Sequence, residues 1–176
     1  MRIFNKFKLS LLIVLIFLSG CIVQSRQLNG LLELITEPSL DLSPNSWLVR
    51  YSDYESVVYA ISTPEGILFS NSAGDQVLFD GWAVRKVQGL GLHLLNLNID
   101  DVGSRRTLKR GNRIVSNHRC DKWAQKNNLG VVRYFQYCSD RQDYKNSILV
   151  QNNGEISVIR QIVDERYTAL TLTKLK

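Results

Sequence analysis

From Trp47 onward the chain is a succession of short segments rich in Val, Ile, Tyr, Phe and Leu, each ended by turn-forming residues. That punctuation constrains the fold more than any other feature, because it leaves little room for a helix of ordinary length. Trp47–Tyr51, Ser56–Ser62 and Gly66–Ser70 read as strands, parted by Ser52-Asp53 and Thr63-Pro64-Glu65-Gly66. Gln76–Val87 reads as a strand pair or one strand bent around Asp80-Gly81. Leu92–Ile99 is a strand candidate, with Asp100-Asp101-Val102-Gly103 as its closing turn. Arg105–Leu108 and Arg113–Ser116 flank Lys109-Arg110-Gly111-Asn112, a hairpin signal.

Further along, Cys120–Asn128 is the one interior stretch assigned helical potential, and Val131–Cys138 follows as a strand. Asn153-Gly154 suits a turn that needs positive φ, so Ser147–Gln151 and Glu155–Val163 form a hairpin, with Tyr167–Leu175 as a terminal strand. Alternation puts Ile156, Val158 and Arg160 on one face of that hairpin and Ser157, Ile159 and Gln161 on the other. The expectation is one all-β domain of about ten short, mostly antiparallel strands, a sandwich or open barrel with one or two short helices.

Residues 1–46 have a different character. Arg2, Lys6 and Lys8 precede an apolar run from Leu9 to Leu18, about half the length a membrane-spanning helix needs. Leu18-Ser19-Gly20-Cys21 then looks like a bacterial lipobox: two small residues fit a peptidase cleft, and the Cys21 thiol takes a diacylglycerol. Residues 1–20 are therefore expected to be a signal peptide, with Cys21 the lipid attachment point and the protein held to a membrane by two or three acyl chains. By resemblance to lipoprotein sorting in Gram-negative bacteria, Ile22 after the cysteine, in place of aspartate, implies the periplasmic face of the outer membrane over the inner membrane. Residues 21–46 read as a lipidated tether with a short peripheral helix through Leu28, Leu31, Leu32 and Ile35, leaving 47–176 as the β-rich domain.

This assignment changes the charge and cysteine arithmetic. Three of the six excess positive charges belong to the leader, so the high isoelectric point is weak support for a nucleic-acid partner, and none is expected. With Cys21 lipidated, Cys120 and Cys138 remain as a pair, and an oxidising compartment favours a disulfide between them.

Catalytic signals are thin. His93 lies in an apolar segment and reads as structural; His118, beside Cys120, would lose its thiol partner to the disulfide. No serine sits in a nucleophile elbow, Gly89-Leu90-Gly91 reads as a turn, and Asp100-Asp101 reads as a solvated turn. No catalytic residue, metal ligand or cofactor is assigned, and no enzymatic activity is expected. The most biased surface candidate is the basic stretch from Arg105 to Lys126, which sets Arg105, Arg106, Lys109, Arg110, Arg113, Arg119, Lys122 and Lys126 against the single acid Asp121. Guanidinium groups suit carboxylates and phosphates, so Arg105, Arg106, Lys109, Arg110, Arg113 and Arg119 are the candidate anion-binding residues. Trp123 and Tyr134 add candidate stacking surfaces for sugar rings.

Two blocks resemble the group 4 capsule and exopolysaccharide lipoproteins (the YjbF type), small secreted β-rich lipoproteins. One is Asp80-Gly81-Trp82-Ala83-Val84-Arg85-Lys86-Val87-Gln88-Gly89-Leu90; the other runs from Tyr144 through Leu175, with Asn152-Asn153-Gly154-Glu155-Ile156 and Gln161 at its last hairpin and terminal strand. Trp82 stands where that family usually has a basic residue, and Ile159-Arg160 departs from its usual approach to the glutamine. The resemblance implies an accessory role in surface polysaccharide assembly or export, with anionic polysaccharide or an envelope protein as partner and no catalytic residues to transfer. A structural or protein-interaction lipoprotein without a glycan role is the rival reading, and an envelope hydrolase a distant third.

Overall fold

The computed structural model describes residues 45–93, 95–128 and 130–176. Among these residues there are thirteen strands: β1 (Ser46–Tyr51), β2 (Tyr54–Thr63), β3 (Gly66–Ser70), β4 (Gln76–Phe79), β5 (Val84–Gly89), β6 (Leu95–Val102), β7 (Arg105–Arg110), β8 (Arg113–Cys120), β9 (Ala124–Asn128), β10 (Val131–Ser139), β11 (Asp143–Val150), β12 (Ile156–Ile162) and β13 (Ala169–Lys174). β1 to β8 pair in sequence order, β8 pairs with β10, and β10 to β13 return to β1. The result is a closed antiparallel barrel of twelve strands, with β9 paired only to β10 outside the ring. Closure removes the two edges an open sheet would leave exposed.

The inner face follows from alternation and register. Val49 sits opposite Leu172, Trp47 opposite Val58, Phe69 opposite Val77, Val77 opposite Val87, Val87 opposite Leu97 and Ile99 opposite Leu108. Ile148 opposite Ile159 and Ile159 opposite Leu172 carry the apolar face through β11, β12 and β13. These side chains are buried, and Trp47 meets Phe69 edge to face with ring centroids 5.0 Å apart. Each such residue contributes about 1.5–3 kcal/mol by leaving water.

Two bulges shift the alternation where it would otherwise send an apolar residue outward. The bulge between Leu78 and Phe79 lets both Val84 and Val87 point inward, three residues apart. The one between Leu149 and Val150 does the same for Ile156 and Ile159, so Ile156 packs on the core rather than facing away from Ile159 as strict alternation requires. Gly66 opens β3 at φ 136°, where a Cβ would lie 2.2 Å from the Phe79 carbonyl oxygen; only glycine lets the two backbones approach so closely.

The expectation of one all-β domain of short, antiparallel strands holds, with the sheet closed into a barrel rather than left open or stacked as a sandwich, and thirteen strands among the described residues. Other expectations are corrected. Among the described residues there is no α-helix, only a 3-10 turn at Gly91–His93. Cys120–Asn128 is extended: the backbone N–H of Asp121 donates to the Tyr137 carbonyl, and β9 runs antiparallel to β10. Leu92 and His93 belong to a turn, because Leu90 and Gly91 take φ values of 60° and 59°, and β6 starts only at Leu95. Asp100 and Asp101 lie within β6, not in the turn after it. The helix expected near 28–35 and the lipobox fall outside the described residues.

Candidate functional site

The six basic candidates on β7 and β8 do not form one surface. Alternation sends Arg105 and Lys109 outward with Arg119, while Arg106 and Arg110 take the inner side with Leu108. Arg106 is therefore not a surface residue: its side chain is 1% exposed, and its guanidinium donates to Asp101 at 3.1 Å, the Gln161 side-chain oxygen at 3.2 Å and the Ile162 carbonyl at 3.4 Å. Burial pulls its pKa below the ordinary arginine value, opposed by the charge of Asp101. Lys109 pairs with Asp100 at 2.6 Å and Arg110 with Glu165 at 3.0 Å. That leaves Arg105, Arg113 and Arg119 exposed and without an acidic partner among the described residues, and Arg105 lies directly opposite Arg119 across β7 and β8. Like charges in that position repel.

The interior polar layer around Arg106 reaches across the barrel. Gln161, fully buried on β12, donates to the Trp82 carbonyl at 2.7 Å, and its oxygen accepts from the Val84 backbone N–H at 3.0 Å. β12 and β5 are not neighbours in the ring, so this side chain ties opposite walls together. It also fixes the turn between β4 and β5. Asp80 holds the same turn by accepting from the backbone N–H groups of Trp82 and Ala83, at 2.9 and 2.7 Å, and from Arg85. Burial works to raise the Asp80 pKa, but those backbone donors and Arg85 outweigh it and hold the carboxyl below its usual value.

The residue this turn presents is Trp82, 48% exposed. Its ring centroid lies 5.8 Å from that of Trp123, tilted by 43°, and 5.2 Å from that of Tyr134, edge to face at 89°. Trp123 comes from the connection between β8 and β9, and Tyr134 from β10; both pack against the core. Three elements thus converge on a half-exposed aromatic platform whose backbone is pinned from within. Trp123 and Tyr134 are readable as stacking candidates, whereas the sequence marks Trp82 only as standing where the resembled family usually has a basic residue. No local pattern links residues 82, 123 and 134.

The disulfide is present between Cys120 and Cys138, so His118 has no thiol partner. His118 is buried with its Nε2 2.7 Å from the Ser116 hydroxyl, and its ring lies edge to face with Tyr144 at 5.3 Å and Tyr167 at 5.8 Å. Burial lowers its pKa and nearby Arg106 adds to the effect, while Asp140 opposes it. Burial likewise pushes the Tyr144 hydroxyl up to about 12. His93, on the turn before β6, is 3.0 Å from Asp53 and edge to face with Tyr51 at 5.2 Å.

The neutral form of His118 has a consequence for stability. The unfolded chain takes up a proton near pH 6.5 that the folded chain refuses until a lower pH. Stability is expected to fall as the pH drops below about 6.5, and this loss stops growing beneath the lowered native value. Urea midpoints between pH 8 and 5 measure it, and His118→Gln should flatten that part of the profile. An identical profile in the variant would show that His118 is not held neutral. No protein-family model, no curated protein and no solved structure matches the chain.

Proposed function

We propose that this chain is a glycan-binding accessory lipoprotein of the bacterial envelope, anchored by lipid on Cys21 and serving the assembly or export of surface polysaccharide. The observation that carries the binding part is the aromatic platform of Trp82, Trp123 and Tyr134. Sugar rings present apolar C–H faces, and a flat aromatic surface held in place beforehand binds them without ordering new side chains. The envelope location rests on the lipobox, and the polysaccharide context on the resemblance of the blocks around Trp82 and Tyr144–Leu175.

Tryptophan fluorescence titrated with envelope oligosaccharides tests the platform. Trp82→Ala removes its exposed member without emptying the core, so its thermal unfolding should stay near that of the parent. Affinity should fall about tenfold or more, the scale of a tryptophan anchor lost from a binding surface. Unchanged affinity in a folded Trp82→Ala protein would rule the platform out as the binding site.

A further inference from the structure

A second feature lies on the outer wall of the barrel. A groove of about 410 Å³ runs along β9, β10 and β11, lined by Lys126, Asn128, Val131, Arg133 and Leu149. The register explains why these residues share a face: Lys126 is opposite Arg133, Asn128 opposite Val131, and Arg133 opposite Leu149. Lys126 and Arg133 are both exposed, and neither has an acidic partner among the described residues. Two like charges directly across a strand pair destabilise it. Here nothing within the described chain offsets that repulsion, in contrast to Lys109 and Arg110, each of which has its own carboxylate.

We propose that this groove is an acid-recognising subsite that takes the carboxylate of an acidic sugar, held between Arg133 and Lys126. The inference rests on the glycan reading and adds the ligand's charge to it. Arg133 supplies a planar fork that meets a carboxylate through two parallel hydrogen bonds, and Lys126 supplies a point charge from the neighbouring strand. Val131 and Leu149 give an apolar floor for the C–H face of the ring, and the Asn128 amide can both donate to and accept from hydroxyls. A concave site with an apolar floor and a few convergent polar groups is the usual form of a small-ligand pocket, and this groove falls in their range of about 300–1,000 Å³. Lys145 and Arg160, exposed on β11 and β12, also have no ion-pair partner among the described residues and add to the positive potential of this wall. A flat anionic membrane would use the same charges but not the concavity or its floor.

The groove and the platform lie on opposite faces of the β9–β10 hairpin. Tyr134 packs toward the core while Arg133, one residue earlier, faces out. Their contributions can therefore be separated. The probes are an oligosaccharide of alternating glucuronic acid and neutral hexose, its carboxyl-reduced counterpart, and vesicles containing phosphatidylglycerol. The full chain should bind the acidic form about tenfold or more tighter than the reduced form, as charge-assisted hydrogen bonds require. The double variant K126A/R133A should lose that preference yet still bind the reduced form, while Trp82→Ala weakens both forms alike.

Equal binding of the two forms by the parent, or a preference that survives in K126A/R133A, overturns the subsite and leaves the platform standing. Vesicle binding lost in K126A/R133A, without discrimination between the oligosaccharides, would assign the wall to a membrane instead. If neither oligosaccharide binds the parent, the glycan reading falls and this subsite with it.

Discussion

Replacing Arg106 with methionine is expected to cost the protein about 3–5 kcal/mol of stability, among the largest effects of any single substitution in the barrel. The guanidinium is 1% exposed and bonds to Asp101, Gln161 and the Ile162 carbonyl, which joins β7 to β6 and to the far end of β12. Methionine fills similar volume but donates nothing. It leaves the inward carboxylate of Asp101 with only Arg85, 3.6 Å away, and removes a donor from Gln161. Much of the loss thus comes from the partners left behind, not from the net strength of the pair. Arg106→Met combined with Asp101→Leu should therefore recover a large part of the stability. Urea midpoints of the two variants measure this directly. A loss below about 1 kcal/mol in Arg106→Met would show that water reaches the layer and that the ion pair is not enclosed.

Nothing local in the sequence announces this role. On β7 one face reads Arg105, Thr107, Lys109 and the other Arg106, Leu108, Arg110, so neither is apolar and alternation cannot say which points inward. The choice is made by Asp101 on the preceding strand and by Gln161, 55 residues away. Where one face is plainly apolar the reading was good. The segments from Trp47 to Ser70 are strands, and the Asn153-Gly154 turn, with Gly154 at φ 81°, joins β11 to β12.

Legibility failed at bulges and at contacts between distant elements. The bulge between Leu149 and Val150 is a backbone event with no residue signature, and it alone decides that Ile156 and Ile159 share the interior. Cys120–Asn128 misled because its polar, unbranched composition fits a helix, while a cross-strand partner holds it extended. The candidate sites follow the same rule. The basic run between Arg105 and Arg119 was conspicuous because its charges are close in sequence, yet acids from β6 and from the β12–β13 connection neutralise half of it. Lys126 closes the same basic stretch, but Arg133 lies beyond it on the next strand, and only the pairing of β9 with β10 brings the two into one groove.

Removing the disulfide with Cys120→Ala and Cys138→Ala together is expected to lower stability by about 3 kcal/mol and to loosen one seam of the barrel rather than the whole. The magnitude follows from the loop: the bond joins residues 18 apart, and closing a loop of that size limits the unfolded chain by about that amount on the chain-entropy model. The location follows from the register. β8 meets β10 through only two residue pairs, Cys120 with Cys138 and Arg119 with Ser139, whereas β10 meets β11 through eight. The covalent bond therefore lies at the shortest pairing in the ring, where backbone hydrogen bonds contribute least to closure. Without it, β8, β9 and β10 should open more often than β1 to β5, whose pairings are untouched. Amide hydrogen exchange would show faster exchange at residues 113–139 and unchanged protection at residues 46–70. The aromatic platform depends on the same seam, because Trp123 follows Cys120 by three residues and Tyr134 lies on β10. The double variant should accordingly bind glycan more weakly even where it remains folded. Uniformly faster exchange throughout the barrel would show instead that the bond acts only on the unfolded chain and that the seam closes without it.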